Sequence, residues 1–171
     1  MKSIPARVRA LLVTSALALA CAGPARAEQV RFDAVVASKA DVSLEFADGS
    51  QHVVRLVQRE GTIKGTGALS GATVLEWGMH DMLFAKGTAD GNGYLVVTRA
   101  PGDIAYLKFQ WRAILANGAD GKPVPLMGGH WEVVGSTGAL KGLAGFGTMR
   151  IDVLKGTQRH WLFDGELLGP Q

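Results

Sequence analysis

The chain has 171 residues, enough for one well-formed core, and its single cysteine, Cys21, permits no intramolecular disulfide. Its formal charge of +3 comes from 18 Lys and Arg against 15 Asp and Glu. Four of those basic residues (Lys2, Arg7, Arg9 and Arg26) fall in positions 1–27 and no acidic residue does, so residues 28–171 carry 14 against 15, a net −1, and the basic pI lends no support to a nucleic-acid or anionic-membrane partner.

The first segment, MKSIPARVRALLVTSALALACAGPARA (1–27), has the three parts of a secretory signal peptide: a basic start, an apolar run from Ala10 to Ala20, and the small-x-small site Ala25-Arg26-Ala27. Cleavage after Ala27 is expected, giving an exported protein, periplasmic or secreted, whose mature chain of 144 residues has no transmembrane segment. Lipoprotein processing at Cys21 is the alternative, against which Leu19 stands where a lipobox prefers a small residue.

Strand patterns follow almost without interruption. QVRFDAVVA and VSLEF come first, then the turn Asp48-Gly49, HVVRLVQRE, and the small-residue stretch TGALSG (66–71). TVLEWGMHDML comes next, with Leu75, Trp77 and Met79 on one face, and the run Asp90-Gly91-Asn92-Gly93 is expected as the turn before GYLVVTR. After Pro101-Gly102-Asp103, the alternation is clearest in IAYLKFQWRAIL, where Ala105, Leu107, Phe109, Trp111, Ala113 and Leu115 share a face opposite Tyr106, Lys108, Gln110 and Arg112. The turn residues 117–121 lead to GHWEVVG, a run from Leu143 to Leu154, and HWLFDGELL, whose Trp161, Phe163 and Leu167 oppose His160, Asp164 and Glu166.

About eight or nine short strands with tight turns and no helical pattern after the leader predict an all-β domain over 28–171, an antiparallel barrel or a sandwich. The closed barrel is preferred, because closure removes edge strands. TGALSG (66–71) recurs as TGALKG (137–142), which suggests two similar turns and brings Asp81-Met82-Leu83 into register with Asp152-Val153-Leu154.

The glycine-rich segment WEVVGSTGALKGLAGFGTMRI (131–151) raises the question of a phosphate loop. A Walker pattern from Gly135 would need glycine at Leu140 and Ser or Thr where Gly142 follows Lys141. A dinucleotide pattern from Gly145 and Gly147 finds Arg150 in the third glycine's place and a strand, MRIDVL, where a helix should begin. Both fail, and no cofactor is expected. Gly145 and Gly147 share a face with Leu143, Met149, Ile151 and Val153, as suits a curved sheet.

The pattern W-x-V-V-G-S-T-G-x-L-x-G-L-x-G-x-G, Trp131 to Gly147, resembles the glycine-rich hairpin of the allene oxide cyclase and dirigent-like barrels and their bacterial relatives. Ser136 stands where those families usually have a second Gly, and Leu140 where they usually have Phe. The resemblance implies a small eight-stranded barrel, an apolar cavity and, in plant members, cyclisation or guided coupling of hydrophobic molecules. It places no catalytic residue on this chain. Barrels of this kind are often homo-oligomers, an assembly state the sequence leaves open.

Chemistry on this chain's own residues is sparse. His52, His80, His130 and His160 lack metal-ligand spacing, so no metal site is expected. His80 shares a face with Glu76, His130 with Glu132, and His160 with Asp164 and Glu166, each opposite a Trp, which assigns them to the solvated surface. Were the interior instead the polar face, these residues would converge inside. No G-x-S-x-G occurs, and Ser136 belongs to a turn, so hydrolysis by a serine nucleophile has no support.

Trp77, Trp111, Trp131 and Trp161, with Met79, Phe109 and Phe163, are expected inside the barrel, either as a filled core or as an aromatic wall for one hydrophobic small molecule. Asp81 falls on the Trp77 and Met79 face, where it either begins a loop or is buried beside a partner such as Arg99. It is the one named candidate for an acid or base. The expectation is therefore an exported barrel that binds a hydrophobic small molecule or has a structural role. The alternative is a cofactor-free isomerase or cyclase in which cavity shape holds the substrate in a reactive conformation and Asp81 assists.

Overall fold

A computed structural model describes residues 27–169. The basic start of the expected leader, its apolar run and Cys21 lie outside the described residues. Eight strands follow in order: β1 (Glu28–Glu45), β2 (His52–Gly65), β3 (Thr73–Leu83), β4 (Thr88–Ala100), β5 (Asp103–Asn117), β6 (Pro123–Ser136), β7 (Ala144–Val153) and β8 (Arg159–Leu168). Each pairs antiparallel with the next, and β8 returns to β1 to close the barrel. Closure gives each of the eight strands two neighbours, which is its physical advantage over a sandwich. No helix among the described residues is long and apolar enough to cross a membrane.

Two local expectations change. QVRFDAVVA and VSLEF belong to one strand, β1, which absorbs the interruption as an irregularity between Ser38 and Ala40. Pairing of β1 with β8 ends at Val36, whereas pairing with β2 continues to Glu45, so the later part of β1 is paired on one side alone and, with its turn into β2, forms a hairpin arm at one barrel end, while the start of β2 stays paired with β3. The run Asp90-Gly91-Asn92-Gly93 is not a turn but lies within β4; the β3–β4 connection is a single 3-10 turn, Phe84–Lys86, closed by Gly87. Gly91 is there for space: a Cβ at this inward position would collide with the Trp111 indole of β5.

The barrel has a closed end and an open one. At the closed end the β2–β3 and β6–β7 loops carry the two TGAL segments, and each turns its leucine, Leu69 or Leu140, fully into the barrel at 0% exposure. Two hydrogen bonds recur at equivalent positions in both: Ser70 N–H donates to the Gly67 carbonyl and Lys141 N–H to that of Gly138, both at 3.1 Å. Ala72 N–H donates to the Leu69 carbonyl at 3.2 Å, as Leu143 N–H does to that of Leu140 at 2.9 Å. The short sequence repeat is thus two equivalent plugs, four strands apart. Above this floor Phe32, Trp131 and Phe163 pack together, with Phe32 stacked on Phe163 at 4.7 Å and tilted against Trp131 at 5.6 Å between ring centroids. Burying each such ring contributes about 1.5–3 kcal/mol.

Outside, the strands carry ion pairs that link neighbours across the sheet, such as Arg31–Asp164 at 2.7 Å and Lys39–Glu60 at 2.7 Å. Exposed pairs of this kind contribute little each, roughly 0–1 kcal/mol.

Candidate functional site

Between the aromatic floor and the open end the interior is neither filled nor wholly apolar. A cavity of about 180 Å³ lies there, walled by Trp111, Trp161, Met127, Ile151 and Ala89 and bordered at the mouth by Phe84 and Leu115. Into it project Arg55 and Arg59 from β2, Glu76 and His80 from β3, and Arg159 from β8.

Strand register explains the convergence. Arg59 pairs with Glu76 and Arg55 with His80 across β2 and β3, so all four side chains share the inward pleat. Glu76 is 1% exposed, and such a carboxylate is tolerable only with partners. It has two. Arg59 Nη1 donates to Oε2 at 2.9 Å, and His80 Nε2 donates to Oε1 at 2.9 Å. The 3.5 Å separation of Arg59 Nη1 from His80 Nε2 reflects two donors converging on one carboxylate. The His80 ring meets Trp111 edge-on, with centroids 4.9 Å apart, so the polar cluster is seated against the aromatic wall.

Positive charge exceeds negative in this interior. Arg55 Nη1 lies 3.5 Å from Asp41 at the rim, and Arg59 has Glu76. Arg159 donates only to backbone carbonyls, those of Gln158 at 2.7 Å and Gly156 at 3.4 Å, and forms no ion pair among the described residues. Burial first, then repulsion from Arg59, holds the Arg159 guanidinium below its ordinary range, against the pull of Glu76. Arg55 Nε and Arg59 Nε are buried without a hydrogen-bond partner among the described residues.

The residues expected to line the interior divide by strand. Trp111, Trp131, Trp161, Phe109 and Phe163 face inward and are buried; Trp111 and Trp161 wall the cavity, while Trp131, Phe109 and Phe163 belong to the packed core. Trp77 and Met79 face outward instead, 55% and 43% exposed, and join Leu56 and Val42 in an apolar patch on the outer surface. His80 and Glu76, expected in water, are inside. The correction has one cause: the more apolar face of β3 is its outer one, and its inward set, Val74, Glu76, Gly78, His80 and Met82, answers the arginines of β2. The conditional expectation that a polar interior would gather the histidines holds for His80 alone. His130 is exposed, and His160 faces outward to Asp33 at 3.0 Å.

Asp81 also lies outside, still within β3, where it accepts from His52 Nε2 at 2.6 Å; Arg99 pairs with Asp103 rather than with Asp81. It therefore does not reach the cavity. Among the described residues no three His, Cys, Asp or Glu side chains are grouped so as to hold a metal ion.

Sequence reasoning missed Arg55, Arg59 and Arg159, although parity carried the signal. Arg55 and Arg59 alternate in phase with Val53, Val57 and Ile63, and Arg159 is in phase with Trp161, Phe163 and Leu167. Comparison of the chain with family models, curated proteins and solved structures gives no match.

Proposed function

We propose that this protein is an exported binding barrel that takes up one small hydrophobic molecule through its open end. The observation that carries the reading is the partition of the interior: a packed aromatic floor, then a cavity of about 180 Å³ between Trp111 and Trp161. A dry apolar cavity of roughly 150 Å³ is known to admit a benzene-sized guest, so this volume suits a single ring or a short chain. Export follows from the leader expected over residues 1–27. The hairpin resemblance to allene oxide cyclase and dirigent-like barrels supports the same use of an interior. Titration of the mature protein with hexanol and benzyl alcohol, followed by Trp fluorescence and calorimetry, tests it. Saturable binding that a bulky Ala89→Phe change at the cavity wall abolishes is expected. No binding of any small apolar probe would refute it.

A second reading, isomerisation or cyclisation of the bound molecule, is favoured by one feature. Glu76 fixes His80 against the cavity wall, the arrangement by which a carboxylate orients an imidazole for proton transfer. This pair replaces Asp81 as the candidate acid or base. Recovery of a native ligand chemically unchanged after prolonged incubation would exclude conversion.

A further inference from the structure

We propose that the molecule taken up is a small organic acid, with its carboxylate held by the guanidinium groups of Arg55, Arg59 and Arg159 and its apolar body against Trp111 and Trp161. This rests on the binding reading above and adds the chemical class of the ligand.

The cavity brings three guanidiniums together, and Glu76 is the sole carboxylate among its wall residues. Even with Asp41 at the rim, 3.5 Å from Arg55, one positive charge is left over. That charge resides on Arg159, whose contacts are neutral carbonyls. Arg159 is half-buried and keeps its proton, and no carboxylate among the described residues pairs with it, so an anion entering the cavity meets a guanidinium whose charge is still free to be offset. Two unpartnered donors, Nε of Arg55 and Nε of Arg59, are buried beside the same space, and each left unmade carries a desolvation cost. A carboxylate offers two oxygens to such forks, in the planar geometry guanidinium favours. The rest of the wall is aromatic and aliphatic, which selects an acid with an apolar body over a hydrophilic anion.

The test compares pairs of equal size: hexanoate with hexanol, and benzoate with benzyl alcohol, with sulfate as an inorganic control. The mature protein should bind each acid at least about tenfold more tightly than its alcohol, and sulfate more weakly than either acid. Arg159→Gln should erase the preference for the acid. Arg55→Gln, at a partly exposed position, should reduce it and serves as the second variant if Arg159→Gln does not fold. Equal binding of acids and alcohols would overturn the anion assignment while leaving the hydrophobic cavity reading intact. Sulfate binding as tightly as the acids would overturn the organic part of the assignment. Failure of both acids and alcohols to bind would overturn the two readings together.

Discussion

Replacing Glu76 with Gln should move stability and ligand affinity in opposite directions. Glu76 is 1% exposed and receives two hydrogen bonds, from Arg59 and His80, both at 2.9 Å. Gln keeps the size and one acceptor oxygen but removes the charge that offsets Arg59. Breaking a buried ion pair on one side costs about 3–5 kcal/mol, and the retained acceptor places this change near the lower end, about 3 kcal/mol. For a domain of this size that corresponds to a fall in thermal midpoint on the order of 10 °C. The same change removes the carboxylate nearest the proposed anion site, so benzoate should bind the variant more tightly than the natural protein and restore part of the lost midpoint. Thermal unfolding by circular dichroism, with and without benzoate, reads both effects. An unchanged midpoint in the absence of ligand would refute the claim that Glu76 and Arg59 form a charged pair within the barrel. A lower midpoint combined with weaker benzoate binding would leave the pair in place but refute its electrostatic opposition to the ligand.

Gly147→Val should prevent folding or reduce soluble yield severely, because the inward Cβ would strike the Asp164 carbonyl of β8 and lie 2.7 Å from the Gly165 Cα; a soluble variant with natural stability would contradict this account of the hairpin. Trp131→Ala should destabilise by about 3–5 kcal/mol, while Trp77→Ala, on the outer surface, should stay within about 1 kcal/mol, and chemical denaturation compares the two directly. Asp103 should contribute to acid sensitivity. Its carboxylate accepts the Ala139 N–H at 2.7 Å, the main cause of a pKa held below the usual range, with Arg99 adding to it. A depressed folded-state pKa means the stabilisation is present above the unfolded value, about pH 4, and is lost as pH falls through the folded value. The stability difference between the natural protein and Asp103→Asn should therefore be constant near neutrality and shrink in acid; a difference independent of pH would count against that tie.

The strand pattern and its closure were legible where each strand kept apolar residues on one face. β5 is the clearest case, with Phe109 and Trp111 inward and Lys108 and Arg112 outward, as alternation requires. β3 misled because Leu75, Trp77 and Met79 form the more hydrophobic set, yet they are the outer set. Its orientation is decided by long-range pairing: Glu76 must meet Arg59, a partner 17 residues earlier that no single-strand pattern reveals. Asp90 to Gly93 misled for a related reason, since glycine marks a turn locally but here makes room for the Trp111 indole of the adjacent strand. The candidate site was hidden because burial by residue type presumes an apolar interior, whereas the upper half of this barrel gathers charge.

The meeting of β1 and β8 also fixes where the chain can be handled. Glu28 pairs with Leu167 beside the floor, at the end away from the cavity's opening. An affinity tag, a fluorophore or a surface linkage joined before residue 28 or after residue 168 therefore leaves the mouth facing free solution. Immobilisation by either end should leave ligand exchange rates unaltered, whereas a bulky label on the hairpin arm, at Asp48 for instance, should slow them.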